Sequence, residues 1–162
     1  MVLEGEGSGH VDGEQLRAVQ QVYDYAYLHA RVRAGLRLER RELTELSELS
    51  RLLEGDSRTK RRRHRRLACL MPALLKSAAG HTRATVFNLS GGGMFVATRE
   101  ALEPGEAVQV IVGREREVLY TFIAEVTRRE SRHGIAGVGL VFRGTPLVRR
   151  YRLSRSAESV AA

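Results

Sequence analysis

From Leu67 onward the apolar positions of this chain recur at every second residue, and no stretch between successive runs is long or helical enough to be a crossover. Leu67–Lys76 reads as a strand with Pro72 at an edge or bulge, where a missing N–H is tolerated. Ala79-Gly80 then reads as a turn, His81–Leu89 as a second strand and Met94–Thr98 as a third. Pro104-Gly105 makes a turn before Ala107–Val112, and Glu117–Arg128 and Ile135–Phe142 complete a six- or seven-strand pattern. Strands joined by short turns pair antiparallel, so the pattern predicts an antiparallel barrel or sandwich of roughly 90 residues. After Phe142 the pattern fades, and Ser154–Ala162 reads as a frayed tail.

The N-terminal third follows a different period. From about Glu14 to Leu53 there is no proline and the apolar spacing is helical. Val22, Tyr25, Val32, Leu36, Leu43, Leu46 and Leu53 fall near a heptad seam, which His29, Glu39 and Ser50 interrupt. Gly35 costs roughly 1 kcal/mol against alanine inside a helix, and is compatible with one long helix or with a bend between two. Such an apolar stripe needs a cover: a hairpin partner, the following domain, or another copy of the chain. The plan is therefore an α+β protein. It has a disordered N-terminus over 1–13, an α-helical region over 14–55, an arginine-rich hinge over 56–66, a β-barrel over 67–148 and a tail over 149–162.

Composition narrows the function. A hydrophobic fraction of 43% and a charged fraction of 28% are those of a soluble globular protein. No run approaches the roughly 18 apolar residues that span a bilayer, so membrane insertion is not expected. The first residues lack a basic region followed by an apolar core, which predicts no signal peptide and a cytoplasmic location. The one cysteine, Cys69, allows no intramolecular disulfide and reads as a small buried hydrophobe. The five histidines show no H-x-x-x-H spacing, so no metal is expected. Gly91–Gly93 lacks the Lys-Ser/Thr of a P-loop, and no acidic pair suits general acid/base chemistry. The expectation is a non-enzyme.

Charge is distributed unevenly. Residues 1–57 hold 7 Lys/Arg and 11 Asp/Glu, a net of −4, whereas residues 58–162 hold 20 and 8, a net of +12. The basic portion invites an anionic partner. Its densest stretch is Arg58–Arg66, with six arginines and one lysine in nine positions. An arginine fork gives paired hydrogen bonds to phosphate or to guanine O6 and N7, and its plane stacks on purines; lysine does neither. The second feature is Asn88-Leu89-Ser90-Gly91-Gly92-Gly93, at the junction of the second and third strands. There Asn88 offers an amide, Ser90 a hydroxyl, and Gly93 freedom to adopt positive φ and let backbone approach a ligand.

An Arg-x-x-x-Arg arm followed about 20 residues later by Asp/Asn-x-Ser-x-x-Gly resembles the PilZ domain family, which binds cyclic di-GMP. Met94-Phe95-Val96 and Gly137–Phe142 are similar to strands of that family, so the resemblance covers roughly residues 60–143. It implies a PilZ-like antiparallel six- or seven-stranded barrel behind the helical region. Arg62 and Arg66 would be the motif arginines, since the second arginine of the family directly precedes the first strand and Leu67 begins it here. Asn88, Ser90 and Gly93 would form the opposite wall. Arg61, just before the motif, is the position linked in the family to two stacked ligand molecules rather than one. Asn88 departs from the commoner aspartate. His64 reads as a solvent-facing spacer.

The implied role is a non-catalytic cyclic di-GMP receptor that relays binding to a downstream protein by rearranging helices against barrel. The outputs known for the family are motility, polysaccharide production and gene expression. Self-association through 14–53 is a further possibility. Two alternatives stand beside this reading: a PilZ-fold adaptor that works without nucleotide, and a basic nucleic-acid-binding module.

Overall fold

A computed structural model describes residues 11–55 and 63–152; the expectations for 1–10, 56–62 and 153–162 lie outside the described residues. Two helices, α1 (Gly13–Arg33) and α2 (Arg40–Leu53), precede seven strands. These are β1 (Leu67–Ser77), β2 (Gly80–Leu89), β3 (Gly93–Ala97), β4 (Ala107–Arg114), β5 (Val118–Arg132), β6 (Ile135–Phe142) and β7 (Leu147–Arg150).

The helical region is a hairpin. Asp12 caps α1 by accepting the Gln15 N–H at 2.8 Å, and Arg31 and Arg33 complement the dipole in its last turn. Gly35, at φ +78°, lets the chain turn back, a conformation that side chains resist. Glu42 then accepts the Glu39 N–H at 2.8 Å at the start of α2 and pairs with Arg31 of α1. These two donors hold the Glu42 carboxyl below its ordinary range, the Glu39 N–H contributing most.

The reversal breaks the expected seam. Val32, Leu36 and Leu43 stand about half exposed around the turn (48%, 55% and 54%). The buried stripe of α1 is instead Val19, Val22, Tyr23, Tyr25, Ala26, Leu28 and Ala30, and α2 adds Leu49 and Leu53. The stripe packs on α2 and on β1, β4 and β5. The expected disorder does not extend to residue 13: Val11 is buried, and its carbonyl accepts the Arg114 Nε–H at 2.7 Å.

The strands hydrogen-bond in the order β4-β1-β2-β3-β6-β5, and pairing of β4 with β5 closes a six-stranded antiparallel barrel. Strict alternation fills it: Val108, Val110 and Val112 of β4 and Val118, Tyr120, Phe122, Ala124 and Val126 of β5 all point inward. Phe122 and Phe142 stack at 4.8 Å. The seventh strand, allowed by the six- or seven-strand expectation but not placed by it, adds Leu147–Arg150 antiparallel to Val118–Thr121, across the expected boundary between barrel and tail.

Three register shifts shape one side of the barrel. They fall between Ala68 and Met71 in β1, between Val86 and Asn88 in β2, and between Val126 and Arg128 in β5. Each extra residue bends its strand and re-aims the side chains beside it.

Candidate functional site

The irregularities of β2 and β5 and the end of the arginine arm meet at one cleft of about 360 Å³. Arg63, His64 and Arg66 come from the arm, Asn88 from β2, Ser90 and Gly92 from the turn, and Thr127 and Arg128 from the bulge of β5. Phe95 of β3 and Gly139–Val141 of β6 complete the lining. Thr127 and Arg128 are sequence neighbours and would face opposite sides of a regular strand; the bulge puts both on the cleft side.

Each wall has a local cause. Phe87 is the extra residue in β2, so Asn88 lies opposite Phe95, whose N–H its Oδ1 accepts at 3.2 Å. That bond orients the amide and occupies one of the two acceptor sites of Oδ1, leaving the NH₂ group as the donor Asn88 can offer a ligand. In the turn, Ser90 Oγ accepts from the N–H groups of Gly92 (3.3 Å) and Gly93 (3.2 Å) and donates to the Gly93 carbonyl (3.1 Å). A hydroxyl has one donor and two acceptor sites, so the hydrogen-bonding capacity of Ser90, although it lines the cleft, is taken up in shaping the turn.

Gly93 is required for a reason other than the expected positive φ. Its φ is not among the left-handed ones, and a Cβ there would stand 2.0 Å from the Leu140 carbonyl oxygen of β6. Its smallness serves the close approach of two strands. Gly91 and Gly92 are equally hemmed in. A Cβ on Gly91 would lie 2.6 Å from the Tyr25 ring, and one on Gly92 would lie 2.7 Å from His64 Nδ1.

His64 is therefore not a solvent-facing spacer. It is half-buried, stands edge-on to Tyr25 at 5.6 Å between centroids, and its Nε2 lies 3.1 Å from the Tyr25 hydroxyl. That hydroxyl also bonds to Glu54 Oε1 at 3.1 Å. Burial first, then the Arg63 guanidinium, lowers the His64 pKa below 6.5. Burial, reinforced by the Glu54 carboxylate, pushes the Tyr25 hydroxyl up to about 12.

Of the residues singled out in the sequence, the structure brings Arg66, Asn88, Ser90 and Gly93 to one cleft, while Arg61 and Arg62 lie outside the described residues. Arg65, which with Arg61 also satisfies the four-residue spacing of the motif, does not line the cleft. Arg63 and Arg128 line the cleft as well, which the motif spacing does not reveal. The trace of Arg128 in the sequence is Gly139, which pairs with it across the sheet and leaves room for its side chain: a Cβ there would meet Arg128 Cγ at 3.2 Å. Arg128 also pairs with Glu130 at 3.0 Å.

Among the described residues no cluster of three or more His, Cys, Asp or Glu could hold a metal. No helix among them is long and apolar enough to cross a membrane. Cys69 is half-buried, its thiol pushed up to about 11 by burial, as suits a packing residue. Chemically the cleft gathers guanidinium groups around a hydrogen-bonding turn, an arrangement suited to a phosphate ester with a planar base.

No curated protein matches the chain. Among solved structures, the Bacillus subtilis inhibitor of motility MotI/DgrA is similar at 17% identity and a TM-score of 0.42, over 54% of this chain and 48% of that one. This chain thus spans about half the length of that protein. The PilZ domain of YcgR from Escherichia coli with c-di-GMP is similar at 22% identity and a TM-score of 0.42, over 51% of this chain and 78% of that one. The PilZ domain of CeSA from a cellulose-synthesising bacterium is similar at 18% identity and a TM-score of 0.38, covering 49% and 80%. The model of the PilZ domain matches residues 60–158, a span that takes in the end of the arm, the turn and every strand of the barrel, and the chain belongs to the PilZ domain family.

Proposed function

We propose that this protein is a non-catalytic receptor for cyclic di-GMP, bound in the cleft between the arginine arm and the Asn88–Gly93 turn. The observation that carries the reading is the convergence of Arg63, Arg66 and Arg128 on the Asn88 amide and the Ser90–Gly93 turn, in a chain of the PilZ family. Arg66, with Arg62 four positions before it in the sequence, supplies forks for phosphate or for guanine O6 and N7. Asn88 donates through its amide nitrogen, and Ser90 and Gly93 act by holding the turn in shape. Arg61 is the residue proposed to engage a second stacked nucleotide. Ligand contacts to Arg63 and Arg66 tie the arm to the barrel turn, and because the arm joins the helical hairpin to β1, binding biases the hairpin's placement for a downstream protein partner.

Titration calorimetry of the full chain with cyclic di-GMP tests this. Saturable binding of the dinucleotide, with GMP much weaker, supports the receptor reading; no heat at tens of micromolar overturns it. A gel shift with duplex DNA distinguishes the basic-module alternative. That reading requires sequence-tolerant binding that weakens steeply with salt, independent of the nucleotide.

A further inference from the structure

The helical hairpin reaches the ligand turn directly, through a contact that no part of the PilZ motif requires. Tyr25, on α1, sits with its ring over Gly91, while His64 of the arm sits over Gly92. The hydroxyl of Tyr25 has one proton, and Glu54 Oε1, an acceptor only, takes it at 3.1 Å. His64 Nε2, 3.1 Å from the same oxygen, must then be the donor to it. His64 thereby carries a proton on Nε2, burial favours its neutral form, and its Nδ1 edge lies against Gly92.

Backbone bonds lock the same place. The Arg65 N–H donates to the Leu53 carbonyl at 2.8 Å, and the Gly55 N–H donates to the Arg63 carbonyl at 3.1 Å. Glu54 and His64 thus form a short antiparallel bridge between the end of α2 and the arm. His29 closes the cluster from α1, with its ring 4.3 Å from that of Tyr25. Four segments meet here: α1, the end of α2, the arm and the glycine turn.

We infer that Tyr25, Glu54 and His64 form a clasp that positions the arginine arm against the Ser90–Gly93 turn before ligand arrives, so that the cleft is built in advance. This rests on the receptor reading for its consequence, since what the clasp positions is the cleft-lining pair Arg63 and Arg66. It also accounts for the two glycines that precede Gly93. Any side chain at Gly91 or Gly92 would displace Tyr25 or His64. The three residues are positioning residues; the nucleotide meets the arm that they hold. Fixing the arm before binding removes part of the ordering cost of association, so loss of the clasp weakens affinity without removing a ligand contact.

The test uses the full chain in two readouts. In ligand-free protein, hydrogen-exchange protection of the Arg65 amide reports the clasp. Tyr25→Phe keeps the ring and loses both hydrogen bonds, and His64→Ala loses the arm's anchor; each should lower that protection about tenfold. His64→Gln restores a donor at the Nε2 position and should recover most of it. Gly92→Ala, which leaves the clasp residues intact but occupies the ring's space, should resemble His64→Ala. In the second readout, cyclic di-GMP affinity by calorimetry should fall by about fivefold to tenfold in Tyr25→Phe and recover in His64→Gln relative to His64→Ala.

Unchanged protection in Tyr25→Phe and His64→Ala would overturn the clasp. Lost protection with unchanged affinity would overturn its positioning role. Absence of nucleotide binding by wild type would instead overturn the receptor reading and with it the positioning role, while the exchange data alone would decide whether the latch between hairpin and arm exists.

Discussion

Two tyrosines, two residues apart on α1, meet the rest of the protein in opposite ways. Tyr23 packs its ring against the barrel, 5.1 Å from the tilted Tyr120 ring and 5.9 Å from that of Tyr27 on its own helix, and is 8% exposed. Tyr25 is more deeply buried, at 2%, yet it works through its hydroxyl, which ties Glu54 and His64 together above the glycine turn. One contact fastens the hairpin to the barrel by area and shape. The other reports the position of the arm through hydrogen bonds that are made or broken as a unit. The hairpin can therefore remain attached through the first while the second changes, which is what a relay from a ligand cleft requires.

The most damaging way to probe this difference is Tyr23→Ala. Removing a buried aromatic ring from a packed wall should lower unfolding free energy by about 3 kcal/mol in urea titration. Among molecules that remain folded, nucleotide affinity should change little, whereas a matching loss of affinity would show that the two contacts are one.

Phenylalanine separates them further. Tyr25→Phe should cost about 1–2 kcal/mol, because the Glu54 carboxylate and His64 lose a shared partner, while Tyr23→Phe should be nearly neutral in both stability and exchange. Equal costs at the two positions would break the comparison.

Acid should act on the Tyr25 side first. His64 and His29 both have pKa values lowered from 6.5, mainly by burial, helped by Arg63 at the first and Arg33 at the second; Glu54 opposes the shift at both. Tyr25 also faces His64, and Arg66 and Arg128 line the cleft on its other side. A lowered folded pKa means that the neutral form is favoured in the clasp. Its stabilisation is complete above pH 6.5 and is lost as pH falls below that value through the lowered one. Arg65 amide protection in ligand-free protein, corrected for intrinsic exchange, should fall in that window, and should fall less in His64→Gln, where His29 alone still titrates. A flat profile in wild type would contradict the protonation state assigned to His64.

The smallest effect belongs to the Tyr23 side. Burial, with the Glu45 carboxylate, raises the Asp24 pKa to about 6 against the opposing pull of Arg150. A raised acid pKa means that ionisation is disfavoured in the fold, a penalty that grows as pH rises from 3.8 through about 6. Asp24→Asn should thus stabilise the protein slightly at neutral pH, by less than about 1 kcal/mol because the site is partly solvated. The gain should vanish below pH 3.8.

The barrel is legible in the sequence because a period of two survives in β4 and β5, where one face is buried throughout. Strand β7 is not, since Leu147–Arg150 spans only four residues and Leu147 itself is 60% exposed. The helical seam misleads because apolar spacing runs on across Gly35 without recording that the chain reverses there. Periodicity gives a face, never a direction of travel.

In the cleft, motif spacing finds Arg66, Asn88, Ser90 and Gly93, and all four stand together. It does not find Arg128, because a bulge decides which way that residue faces and alternation cannot show a bulge. Tyr25 and His64 lie 39 positions apart, so their hydrogen bond leaves no local signal. The Gly91-Gly92 pair is the visible trace, and its meaning depends on rings from two distant segments.

If the arm binds cyclic di-GMP as a placed clamp and not as a cloud of positive charge, neighbouring arginines must behave differently. Arg66→Ala and Arg65→Ala remove the same charge one residue apart, the first inside the cleft and the second outside it. Calorimetric titration of both variants with cyclic di-GMP, beside wild type, makes the distinction. Arg66→Ala should lose affinity by about tenfold to a hundredfold, as expected for charge-assisted hydrogen bonds, while Arg65→Ala should stay close to wild type. Equal losses in the two variants, or binding untouched by Arg66→Ala, would contradict the clamp.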